Sequence, residues 1–425
     1  MKHTKIIGFA WAGWIFDFFD LILYSFLLIE IQDDFDLTDT EVAMVYSASL
    51  AITAVGGIII GFLGDKLGRR NAIIISVLVF SIGTFLSALS WSIWSLLIFR
   101  LITGFGIGGE WAAGHTLINE TLPSGERGKA SSIIQSGAPI GAGLASIVGG
   151  FINPIIKWRM SFILASFPSF ILVVLMYLSL PESPQYLIFK EEAKDERDEN
   201  FKLQGWYYVR AATKRSLDQL YVIRNSLFLG TILSLFGMLA YWVVFSWTPK
   251  FLSTFGFNDE KIGWWMLLCQ FGAFLGYISF GWVSSSTNKF RLTFSLYAIT
   301  FGIGILVFSN AVDSNLEIIA LLGIFITGFG TGFFSGYGPL YCRLFPIRVR
   351  NTAASWCFNL GRLGAFIAPI LVAWLADKFS FTIAISVGTI FALCVSLWVF
   401  LIDPTKIEYE TTFEVPAKMK LVISN

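Results

Sequence analysis

The chain has 425 residues, of which 55% are hydrophobic before its 39 glycines are counted. Only 14% are charged, against roughly a quarter in soluble globular proteins, and mean hydropathy is +0.70. These values exclude a soluble enzyme, and the wealth of Phe, Leu and Ile excludes disorder; a net charge of +1 gives no field that draws nucleic acid.

In chain order, Lys2-His3-Thr4-Lys5 before an apolar run imitates a signal peptide. The run from Ile6 to Ile29 is too long for one and lacks a cleavage site, so it reads as the first membrane span. A crossing helix needs about 20 mainly apolar residues. Further stretches of that kind fall near 41–63, 71–90, 94–118, 129–151 and 159–180, then near 226–247, 260–282, 292–309, 316–338, 352–375 and 381–401. With the N-terminus inside, inner segments hold 23 of the 30 basic residues and outer loops hold Lys157, Arg159, Lys250, Lys261 and Lys378, so both ends are expected in the cytoplasm. The long polar stretch between the sixth and seventh spans holds a mixed-charge run over 191–199 and then Trp206-Tyr207-Tyr208 through Tyr221, a segment suited to helices lying at the interface. The expected organisation is an all-α membrane protein of twelve transmembrane helices: a six-helix bundle over 1–188, a linker over 189–224, a second bundle over 225–402 and a tail over 403–425. Cys269, Cys342, Cys357 and Cys394 form no CxxC pair, so neither a disulfide framework nor a zinc site is expected.

The two halves repeat. Thr103-Gly104-Phe105-Gly106-Ile107-Gly108 recurs as Thr327-Gly328-Phe329-Gly330-Thr331-Gly332, and Pro123, Arg127 and Gly141 recur as Pro346, Arg350 and Gly364. Two six-span repeats related by an axis normal to the membrane belong to transporters that rock about a midplane site. Gly104 to Gly109 satisfies GxGxxG by letter. No strand precedes it, however, and it lies within a span, so it reads as a small-residue stripe for close helix approach rather than a dinucleotide loop. No Walker sequence is present, and with only His3 and His115 no Ser-His-Asp constellation suggests itself. No enzyme activity, cofactor or metal is expected.

Gly61-Phe62-Leu63-Gly64-Asp65-Lys66-Leu67-Gly68-Arg69-Arg70, between spans two and three, resembles the signature loop of the major facilitator superfamily. Gly61 and Gly68 suit close packing and a tight turn, while Asp65, Arg69 and Arg70 suit an ionic latch on the inner face. Arg100-x-x-x-Gly104 resembles the fourth-span motif of the family. Glu120-x-x-Pro123-x-x-x-Arg127-Gly128 and Pro181-Glu182-Ser183-Pro184 resemble sugar-porter signatures. Gly108-Gly109-Glu110-Trp111 and Gln135-x-Gly137 are similar to the metabolite:proton symporters. Asp17-x-x-Asp20 with Gly361-Arg362-Leu363-Gly364 is similar to the aromatic-acid:proton symporters. In the second half, Ser285 stands where the loop acid would be and Arg343 where relatives place a Glu, so a gate resting on packing is expected there.

Five ionisable residues fall well within spans: Asp17, Asp20, Arg100, Glu110 and Arg362. Charges at that depth are costly and mark pathways. Asp17 and Asp20, at i and i+3, share a helix face. The resemblance implies that Asp20 is the proton-binding acid and Arg100 its partner, and burial against an adjacent cation gives an acid two proton affinities between which it can cycle. Asp17 reads as either a second proton site or a substrate contact. Glu110, roughly 15 Å inward of Arg100 at 1.5 Å per residue, reads as a gating or packing residue, and His115 as interfacial. Arg362 suits a bidentate grip on a carboxylate. Tyr24, Trp111, Tyr241, Trp242, Tyr337 and Trp356 are candidate wall residues. The function expected is a monomeric, proton-coupled symporter of the plasma membrane importing a small organic acid. A sugar or polyol symporter and a transporter-like nutrient receptor are the alternatives.

Overall fold

The computed structural model describes residues 2–122, 130, 133–184, 186–187, 223–287, 289–345 and 350–402. Among these residues every regular element is helical. α1 (Lys2–Phe35) leads to α2 (Asp39–Leu67). The N-terminus of α2 is closed by a capping box: Thr38 accepts from the Glu41 backbone, and Glu41 accepts from the Thr38 backbone. Gly68, at φ 101°, turns the chain in a region that residues with a Cβ avoid, and α3 (Arg69–Ala88) follows. Ser92 caps α4 (Ile93–Thr121), after which come α5 (Gly137–Ile147), a π turn (Val148–Ile152) and α6 (Asn153–Ser179).

The second half begins with α7 (Arg224–Phe245), the short α8 (Thr248–Thr254), α9 (Asp259–Thr287) and α10 (Phe290–Asp313). α11 (Glu317–Gly330) passes through a 3-10 stretch (Thr331–Gly336) into α12 (Tyr337–Leu344). α13 (Arg350–Gly361) and α14 (Leu363–Lys378) meet at Arg362, and α15 (Phe381–Ser386) and α16 (Gly388–Trp398) end the described chain.

Eleven helical stretches among the described residues are long and apolar enough to cross a membrane. Ten coincide one for one with predicted spans. The two predicted near 129–151 and 159–180 form a single apolar run of 47 residues, Ile133–Ser179. That run is broken at Lys157, whose φ of 70° and ψ of 164° are not helical. Glu30 of α1 covers the break, accepting from the Trp158 backbone at 2.9 Å and the Asn153 side chain at 3.1 Å. The 191–199 run, the 206–221 segment and the 403–425 tail lie outside the described residues.

The sequence repeat is also a repeat of packing. Gly104 of α4 lies against the Ser49 carbonyl of α2, and Gly328 of α11 lies against the Cys269 carbonyl of α9. Gly106 meets the backbone of Phe80 on α3, as Gly330 meets that of Phe301 on α10. A Cβ at any of the four would strike backbone, so small residues are what let these helices touch. The halves meet where α14 packs on α2, α5 on α9 and α1 on α8. Lys250 of α8 also reaches over to Asp39 and to Gln32, the latter at 2.6 Å. Large apolar side chains such as Ile58, Phe167, Leu178, Trp282 and Ile318 cover the outer surface, as a lipid solvent requires.

Candidate functional site

Asp20 and Arg100 are brought together as the sequence leads one to expect. Arg100 Nη1 and Nη2 donate to the two Asp20 carboxylate oxygens at 3.0 and 2.8 Å, and Thr84 Oγ1 of α3 donates to Oδ1 at 2.7 Å. The guanidinium lies 5.2 Å from the Tyr24 ring centroid and 5.5 Å from that of Phe162. Arg100 is wholly buried and Asp20 nearly so. The bidentate pair ties α1 to α4, its acid held also by α3.

Asp17, one turn before Asp20, belongs to a different place. It lines a narrow chamber between the halves together with Trp14 and Phe18 of α1, Thr53 of α2, Met238 and Trp242 of α7, and Phe358 and Arg362. A second hollow continues past Trp14 and Trp242 toward Gln135, Tyr241, Tyr277 and Phe334. Asp17 is 0% and Arg362 8% exposed, so both charged side chains are buried. Arg362 sits at the junction of α13 and α14, where its amide is shared between the Phe358 and Asn359 carbonyls. Among the described residues its Nη1 finds no hydrogen-bond partner, and no N–H or O–H reaches either Asp17 oxygen. The charges acting on Asp17 are Glu110, Arg362 and Asp20.

Glu110 lies beside Asp17, behind the chamber wall. Its carboxyl rests in the notch left by Gly13, one turn before Asp17, so that a Cβ at Gly13 would fall 2.6 Å from Glu110 Oε1. Asp17 and Arg362 are its charged neighbours. The network around Arg69 includes other acids. Arg69 Nε and Nη2 donate to Glu120 at 3.0 to 3.2 Å, Arg69 Nη1 donates to the Gly64 carbonyl at 2.9 Å, and Ser183 donates to Glu120 at 2.6 Å. The Arg70 backbone donates to Glu182 at 3.1 Å and its guanidinium to the Tyr177 carbonyl. Gly61 has open space around it, whereas Gly68 is pressed against Glu182. The side chains of Asp65, Trp111, His115, Ser285 and Arg343, and all of Arg127, lie outside the described residues.

Of the expected wall residues, Trp242 and Tyr241 line the two hollows. Three others are placed elsewhere. Tyr24 stacks on Tyr46 at 4.8 Å and faces Arg100. Tyr337 is buried in the second half and donates to the Leu233 carbonyl at 3.0 Å. Trp356 is 52% exposed. The residues overlooked in the sequence stood one turn away from those picked: Trp14 beside Asp17, Met238 beside Trp242, Phe358 beside Arg362. Helical spacing of three and four applied around each chosen residue supplies them. Among the described residues no group of His, Cys, Asp and Glu is fit to hold a metal.

The sequence pattern of the Major Facilitator Superfamily matches residues 10–356 and 261–422. A Haemophilus influenzae protein assigned to metabolite transport is 30% identical over 407 residues, covering 94% of this chain and 96% of its own. The cis,cis-muconate transport protein of Acinetobacter baylyi is 30% identical over 399 residues, covering 92% and 93%. The xylose transporter XylE of E. coli, in a partially occluded inward-open state, superposes with a TM-score of 0.76 at 17% identity, over 95% of this chain and 99% of that one; at that identity the likeness is one of fold. The motif spacing, the packed repeat and these matches agree: the chain is a multi-pass membrane transport protein, not an enzyme, and belongs to the major facilitator superfamily.

Proposed function

We propose that the protein is a proton-coupled symporter that imports a small organic acid by alternating access. The observation that carries the cargo class is Arg362: a buried guanidinium with an unpaired Nη1, facing a chamber walled by Trp14, Trp242 and Phe358. A cation in apolar surroundings gains most from a carboxylate, which answers its charge and its paired donors at once. The aromatic walls suit a planar or unsaturated carbon skeleton. The muconate relative carries such an acid, which favours this reading over a sugar.

The membrane arrangement belongs to the same proposal. A run of 47 residues is roughly 70 Å long at 1.5 Å per residue, about twice the hydrocarbon thickness. With its break at Lys157, it reads as two crossings, making twelve spans in two bundles with both ends cytoplasmic. Closure at the outer side is assigned to the Lys250 contacts with Asp39 and Gln32, and the inner network around Arg69 and Glu120 braces the first half.

The test is uptake into proteoliposomes under an imposed inward proton gradient, with labelled cis,cis-muconate, benzoate and xylose as probes. Concentrative uptake of an acid, abolished by dissipating the gradient, is expected. Accumulation of xylose alone establishes the sugar reading instead.

A further inference from the structure

Asp17 and Arg362 line the chamber, and a third buried charged residue, Glu110, lies beside Asp17. Asp17 and Glu110 come from α1 and α4, Arg362 from the α13–α14 junction. No N–H or O–H among the described residues reaches the Asp17 oxygens. What lies within hydrogen-bonding reach of Asp17 is another carboxyl, that of Glu110. Two ionised carboxylates have no donor to share, and like charges at contact in a low-dielectric site cannot both persist. The Asp20–Arg100 pair, by contrast, is internally neutral and lines neither hollow.

We infer that Asp17 and Glu110 share a single proton, and that this pair, with Arg362 as the switch between proton and cargo, is the coupling site of the transport cycle. This rests on the symport reading above and locates its proton. With the cargo site empty, Arg362 is the cation among the described residues that acts on both acids, and it stabilises their charged form. A cargo carboxylate that engages Arg362 removes that support, so the pair keeps its proton; in turn, a protonated pair leaves Arg362 free for the cargo. Proton and anion therefore favour each other's binding through one shared guanidinium, and by linkage the effect is reciprocal. The balance is simple. A carboxyl oxygen takes a proton from outer water, carries it while the anion is bound, and gives it to inner water when the anion leaves and Arg362 returns to the acids. The charged groups facing the pair are Arg362 and, on Asp17's own helix, Asp20. Gly13 is the positioning residue that makes room for the Glu110 carboxyl.

The test uses full-length protein in lipid and two readouts. Infrared difference spectra across a pH titration report the C=O stretch of a buried protonated carboxyl. That band is expected in the parent and in Asp20→Asn, and absent from both Asp17→Asn and Glu110→Gln, because either acid left alone pairs with Arg362 and ionises. Gly13→Ala keeps every ionisable group but displaces Glu110, so it should move the band to a different pH. In proteoliposomes loaded with benzoate or cis,cis-muconate, Glu110→Gln is expected to lose concentrative uptake by roughly 5- to 150-fold, the span of a typical coupling energy, because an ionised Asp17 then competes with the probe for Arg362. A band that persists in either single-acid variant, or that vanishes only in Asp20→Asn, overturns the inference. If the band behaves as expected but neither acid is carried, the cargo assignment fails and the proton site stands.

Discussion

Two buried ionic groups sit one helical turn apart on α1 and behave differently. Asp20 meets Arg100 through two hydrogen bonds of 3.0 and 2.8 Å, takes a third from Thr84, and is walled by Tyr24 and Phe162. Asp17 meets a carboxyl and a distant helix's guanidinium, and its oxygens receive no donor from the described residues. Residue type and burial are the same for both. What separates them is whether the surroundings already answer the charge. A satisfied pair suits a clamp; an unanswered acid beside a chamber suits the proton site proposed above. The first joins helices of one half, while the second spans both halves, since Arg362 belongs to the second. A group whose partner sits on the opposing half is the one that a rocking motion can connect and disconnect.

The largest effect that would break this contrast is on stability. Arg100→Leu leaves Asp20 buried without its cation and should cost about 3–5 kcal/mol, read as a lowered thermal midpoint in detergent. Adding Asp20→Asn to it should recover most of that loss. A single variant as stable as the parent would remove the clamp from the account. Next in size, Arg362→Lys keeps the charge but loses the planar fork. It should weaken acid binding by about 2 kcal/mol, roughly 30-fold, with the thermal midpoint nearly unmoved; equal affinity for both proteins would separate the cargo from Arg362. Trp242→Leu, which opens a wall shared by both hollows, should cost about 1 kcal/mol of affinity for benzoate, measured by competition against labelled probe. The smallest effect is at the contact between α8 and α2. Lys250→Gln removes a half-exposed ion pair with Asp39, and it should change stability by less than about 1 kcal/mol while raising the rate of probe exchange if the contact holds the outer side shut.

Much of the site was legible one residue at a time and illegible as an arrangement. Charge at mid-span marked Asp17, Asp20, Arg100, Glu110 and Arg362, because lipid makes such residues expensive wherever they stand. Spacing along one helix predicted that Asp17 and Asp20 share a face, which they do only coarsely: the turn between them is enough to point one at α4 and the other into the chamber. Distance along α4 placed Glu110 toward the inner end, but a long side chain laid back over Gly13 brings its carboxyl to Asp17. No one-dimensional measure contains that step. The aromatics fared worse. Tyr24, Tyr337 and Trp356 were chosen by type in a chain rich in such residues, and type does not say whether a ring packs on an arginine, in a core or at the surface.

The sequence alone determined the solvent, the helical class, the repeat and the family: hydropathy is additive along the chain, and glycines where helices touch leave a periodic trace. Tertiary structure decided which acid is answered and which is not, that Arg69 reaches Glu120 of α4, and that Arg362 and Asp17 line one chamber from opposite halves. Those are pairings between segments tens to hundreds of residues apart, whose energies depend on distance and burial, and neither quantity exists until the helices are packed.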